Sequence, residues 1–170
     1  MFKSVDSALK WATHISTLSI IDSPCLANHI PDHDGSPFRN DLLVNLSQAE
    51  IHAQSAQIIR MVESLDDPAF SEYMLAKYRM IDKLDTLIYR VASGFGGTIN
   101  RRSLQNIILE YCGRKKFSTN DYKDMFGCSK SQAYRNRSVV YERMDKIHYQ
   151  AMDALESKMA GAGLVLRNNC

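Results

Sequence analysis

The residues with the most chemistry to offer lie between Gly127 and Arg137. They read Gly127-Cys128-Ser129-Lys130-Ser131-Gln132, then Tyr134, Arg135 and Arg137. The chemistry is noncovalent. A glutamine side chain can make two hydrogen bonds to adenine and an arginine two to guanine, while Lys, Ser and Tyr mostly grip phosphates. Gly127 suits a helix end that needs a left-handed backbone. Ser129 is placed to cap a new helix, and Gln132, three residues on, completes a capping box. Upstream, Ser118 can cap a short helix from Thr119 to Phe126, with Tyr122, Met125 and Phe126 facing inward. Ala133 is small enough to let the two helices approach closely. Two short helices, a tight turn and a basic second helix are how a helix-turn-helix presents a recognition helix to duplex DNA. Lys130, Ser131, Gln132, Tyr134, Arg135 and Arg137 are therefore candidate DNA-binding residues. Arg114, Lys115, Lys116 and Lys123 add positive charge suited to the phosphate backbone. A helical hairpin with a glycine turn and merely solvated basic side chains is the competing reading.

Other clusters carry less. Cys25, His29 and His33 are spaced four apart with Asp32 and Asp34 close by, a spacing that on a helix suits zinc. Pro24 and Pro31 interrupt helical geometry there and no second cysteine completes the set, so no metal site and no cofactor is expected. Ser93-Gly94-Phe95-Gly96-Gly97-Thr98 lacks the Lys-Ser/Thr and the preceding strand of a phosphate-binding loop, and reads as a hinge between helices. His14, His52 and His148 have no carboxylate or nucleophile that sequence can place beside them. The expectation is a protein without catalytic residues.

The elements that position these residues are helical. Proline is rare and apolar residues recur three and four apart, which predicts an all-α fold: a multi-helix domain containing a helix-turn-helix with a long C-terminal helix. A first helix from Asp6 to Ile20 turns Ala8, Trp11, Ala12, Ile15 and Leu18 to one face. Residues 21–46, with three prolines, read as an irregular connection. Ser47-Gln48-Ala49-Glu50 is a capping box opening a helix with Ile51, Ser55, Ile58, Val62 and Leu65 on its buried stripe. Asp67 and Pro68 start the next, which carries Phe70, Met74, Tyr78 and Ile81, then Leu84, Leu87, Ile88 and Val91, as one helix or two. Asn100 can cap a helix holding Leu104, Ile107, Ile108 and Tyr111 that stops near Gly113. No Gly or Pro falls between Lys130 and Gly161, so the recognition helix is expected to run on for about 45 Å. Ala133, Val140, Ile147 and Ala154 fall seven apart with Met144 and Ala151 between them, a seam expected to pack within the chain. The organisation expected is 1–46 for the first helix and connection, 47–100 for a helical segment, 101–160 for the DNA-binding region, and 161–170 for a tail that docks or frays.

Charge divides the chain. Residues 1–85 hold 7 Lys and Arg against 12 Asp and Glu, whereas residues 86–170 hold 14 against 7. A basic half suits a polyanion, and an acidic half suits a protein partner with a basic surface. No apolar run approaches the roughly 20 residues of a membrane helix, and Met1 to Asp6 lack the apolar core of a secretory signal. Four cysteines without paired spacing fit reduced thiols, so a cytosolic protein is expected.

Residues 104–146 resemble the short Q-type antitermination proteins of lambdoid phages. The resemblance rests on Leu109-Glu110-Tyr111-Cys112-Gly113, then Ser118, Gly127-Cys128-Ser129, and a long helix with Arg135, Arg137 and Glu142. Ala8-Leu9-Lys10-Trp11-Ala12 is similar to the family's opening helix. The helix-turn-helix also resembles the promoter-reading region of sigma factors. The resemblance implies a phage late-gene factor, in the cytoplasm of a bacterial host cell, that binds double-stranded promoter DNA. It implies that the protein engages paused bacterial RNA polymerase with its sigma factor and suppresses pausing and termination. The acidic half would then contact polymerase or sigma. A sequence-specific repressor or activator using the same helix, and a protein-interaction module inhibiting a host enzyme, are the alternatives.

Overall fold

The computed structural model describes residues 2–17, 46–78, 82–113, 116 and 128–165. The expected features that fall elsewhere lie outside the described residues. These are the connection after Thr17, the Cys25, His29 and His33 group, and the whole first helix of the proposed helix-turn-helix with Gly127. Among the described residues 78% are helical and no strands form a sheet, so the fold is all-α.

Six helices are described: α1 (Val5–Thr17), α2 (Gln48–Glu63), α3 (Pro68–Lys77), α4 (Asp82–Ser93), α5 (Arg101–Tyr111) and α6 (Lys130–Gly161). Their starts follow local rules. The Ser47 hydroxyl accepts from the Glu50 amide at 3.3 Å while the Glu50 carboxylate accepts from the Ser47 amide at 2.7 Å, closing the capping box of α2. Asp67 caps α3 through the Ala69 amide at 2.8 Å, with Pro68 in the first turn. Asn100 caps α5 through the Ser103 amide at 2.7 Å. The glycine-rich segment is a turn between α4 and α5, and Gly97 takes a φ of 81°, a left-handed value that a side chain would strain. The segment from Pro68 to Ser93 forms two helices.

The chain divides into two compact units. Residues 1–65 and 152–170 form one, and residues 66–151 form the other. In the first unit α1 packs on α2. Its core joins Leu9, Trp11, Ala12 and Ile15 to Ile58, Val62, Leu155 and Met159. Ser55, a polar member of the α2 stripe, is tied by its hydroxyl to the Ala12 carbonyl at 2.7 Å. The chain beyond α6 turns back through Gly163, the Phe2 amide donates to the Leu164 carbonyl at 2.7 Å, and Phe2 bridges Val165. The Phe2 and Trp11 rings then meet with centroids 5.3 Å apart.

In the second unit α3 packs on α4 and α4 on α5. Tyr73, Met74, Leu87, Ile88, Leu104, Ile107 and Ile108 are buried there, with Ala133, Val140 and Met144 of α6. Ile51 and Phe70, both in the first turn of their helices, are half-buried. The buried stripe of α6 runs Ala133, Asn136, Val140, Met144, Ile147, Ala151, Leu155 and Met159. Its steps of three and four residues average a little above 3.6, so it drifts away from a strict seven-residue repeat toward the C-terminal end. Ala154, the last member of the seven-residue set, is accordingly half-buried.

Candidate nucleic-acid interface

The first turns of α6 are a capped, outward-facing helix start. Ser129 accepts the Gln132 amide on its hydroxyl at 3.3 Å and the Ala133 amide on its carbonyl at 2.9 Å. The return half of the expected capping box is replaced by another contact. The Gln132 carboxamide turns forward and donates to the Asn136 carboxamide oxygen at 2.8 Å. Asn136 is only 8% exposed, so it is a fixed partner. This bond leaves the Gln132 side chain its oxygen and one N–H, the pair that adenine requires.

Ala133 is fully buried, and the helix it is expected to approach lies outside the described residues. Lys130, Ser131, Gln132, Tyr134 and Arg135 are exposed. No ion pair engages Lys130 or Arg135 among the described residues. Lys116 is exposed as well. Arg114, Lys115 and Lys123 lie outside the described residues.

Arg137 differs from its neighbours. Its guanidinium sits 3.2 Å from Glu110 of α5 and lies over the Tyr141 ring at 4.9 Å from the centroid. The Glu110 oxygen is sealed from solvent without a formed hydrogen bond, so the contact is held by charge. Arg137 thus fastens α6 to α5. A pattern of basic residues cannot separate such a fastener from a reader, because Glu110 is remote in sequence.

Further contacts fix the same helix. Tyr111 donates to Asp145 at 2.6 Å and its ring meets that of Tyr141 edge-on at 5.1 Å. The Tyr73 hydroxyl lies 3.1 Å from Nδ1 of His148. This pairing gives His148 a partner that sequence reading missed, and only the fold brings the two together. Burial pushes the Tyr73 hydroxyl well above the ordinary phenol range, with Tyr111 adding to it. Burial also raises Tyr111, with the Asp145 hydrogen bond second.

These shifts predict an alkaline weakness. The folded state keeps both protons where the unfolded chain releases them, so the stabilisation is complete below about pH 10 and is lost as pH rises further. Chemical denaturation between pH 8 and 11.5 should show stability falling above about pH 10, by up to ~1.4 kcal/mol per pH unit for each retained proton. The Tyr73→Phe and Tyr111→Phe variants should show shallower slopes. Equal slopes in all three proteins would contradict this assignment.

Among the described residues no group of three or more His, Cys, Asp or Glu is arranged to hold a metal ion. No helix among them is long and apolar enough to cross a membrane. Comparison with protein-family models, with curated proteins and with solved structures finds no match.

Proposed function

We propose that the protein is a DNA-binding regulator of transcription that sets the first turns of α6 in the major groove of a duplex. The observation that carries this reading is the helix start itself. Lys130, Ser131, Gln132, Tyr134 and Arg135 are exposed on ordered backbone, while Ala133, Asn136 and the Arg137–Glu110 pair hold that backbone from behind. The basic balance of residues 86–170 supports it. A helix rigidly held from one side, with hydrogen-bonding side chains on the other, can read base edges without first becoming ordered.

Within that function, the resemblance over residues 104–146 favours a phage late-gene antitermination factor that loads onto host RNA polymerase with its sigma factor. No covalent step is required, so the residues of the interface bind and orient. Arg135 and Gln132 choose the base pairs, and Lys130, Ser131, Tyr134 and the basic residues 114–116 and 123 hold the phosphates. A repressor or activator built on the same helix is the second reading, because the interface accounts for DNA contact alone.

Two measurements test this. Binding of the full chain to duplexes selected from a random pool should weaken steeply with salt, since each neutralised phosphate releases counterions. Lys116→Ala should reduce the slope of log affinity against log salt by about one while leaving site preference unchanged. Selection of no duplex at all, or salt-independent binding, would end the DNA reading. Transcription with purified polymerase past a terminator then separates antitermination from simple repression: read-through that depends on the selected site supports the first, and blocked initiation the second.

A further inference from the structure

Beyond its second turn, α6 exposes a valine among cations. Val139 is 50% exposed. It stands four residues after Arg135 and four before Arg143, both exposed, and Gln132 lies three before Arg135. Spacings of three and four bring Gln132, Arg135, Val139 and Arg143 onto one line along the helix. That line runs beside the buried stripe of Ala133, Val140 and Met144, with one exposed carboxylate, Glu142, at its edge three residues after Val139. Glu142 is engaged by Lys146 at 2.9 Å, and Asp145 stands off the line and accepts from Tyr111 at 2.6 Å.

A single exposed valine means little on its own. Its setting gives it meaning, because a surface lined by arginines fits a polyanion, and the major-groove edge of DNA offers one apolar group, the 5-methyl of thymine. We infer that Val139 is a specificity-determining residue that meets a thymine methyl in the major groove. This rests on the proposed DNA-binding function and adds the base selected. The arginines on either side hold the helix along the groove and Gln132 reads the other end of the line. Seven residues separate Gln132 from Val139, a rise of about 10 Å, so the thymine lies about three base pairs from the pair that Gln132 reads.

The test uses the full chain and duplexes it selects from a random pool, with each thymine replaced in turn by deoxyuridine, which lacks only the methyl. One replacement, about three pairs from the Gln132 contact, should weaken wild-type binding by about 4-fold, the worth of one buried methyl group. Val139→Ala should bind the unmodified duplex more weakly by a similar factor and should no longer respond to that replacement. Its thermal unfolding should match wild type, because the side chain is half in solvent. Wild-type binding that ignores every deoxyuridine overturns the inference. So does a Val139→Ala variant that keeps the full response. Both results leave the proposed function standing, since selection and salt dependence persist. Failure to select any duplex removes both, and Val139 then belongs to a surface for another kind of macromolecule.

Discussion

Replacing Arg135 by alanine should lower affinity for the selected duplex by about 5- to 150-fold, equivalent to roughly 1–3 kcal/mol for one bidentate base contact. The preference at one base pair should relax with it. Arg135 is exposed, and no carboxylate pairs with it among the described residues, so under the proposed function the substitution removes a contact to DNA and leaves the fold's own contacts in place. Gln132→Ala should act similarly at a different pair. Arg137→Ala should behave differently. That guanidinium is held between Glu110 and Tyr141, so its loss leaves a sealed carboxylate oxygen without its cation and should lower stability. Competition binding on single-substituted duplexes, alongside denaturant unfolding, distinguishes the two. If Arg135→Ala binds and discriminates as wild type does, the reader has been assigned to the wrong side of α6.

The second large effect lies far along the chain. Trp11→Ala should cost about 3–5 kcal/mol, because a wholly buried indole packed against Phe2 leaves a cavity that its neighbours fill only in part. Trp11→Phe should cost markedly less than the lost volume suggests. The indole Nε1–H is buried without a hydrogen-bond partner among the described residues, a burden of about 1–3 kcal/mol that phenylalanine does not carry. Trp11 is the only tryptophan, so circular dichroism in denaturant is the suitable measurement. A Phe variant as damaged as the Ala variant would mean that the N–H has an acceptor.

What was legible in the sequence was local. Ser47 with Glu50, Asp67 with Pro68, and Asn100 announce helix starts because a cap and the amide it satisfies lie within three residues of each other. Trp11 could be placed by its spacing. The separation of α3 from α4 left no mark, since neither glycine nor proline stands at the break. The roles of Arg137, Tyr73 and His148 depend on partners brought in by tertiary packing, such as Glu110 on α5. Gln132 is a different case. Asn136 lies four residues on, a spacing at which such side chains meet on a helix, so that bond was readable beside the capping box that outweighed it. Val139 and Arg143 extend the line of Gln132 and Arg135 and were readable in the same way.

The clasp between Phe2 and Leu164 fixes an order of events during synthesis. The unit spanning residues 66–151 is contiguous and can settle as soon as it is made. The other unit cannot close until Leu164 emerges, about a hundred residues after its own first portion. At roughly 5–20 residues per second the α1–α2 pair waits on the order of 5–20 s without the apolar cover that Leu155, Met159 and Val165 later add. That nascent interval, more than the finished protein, is when a chaperone has most to gain by binding it.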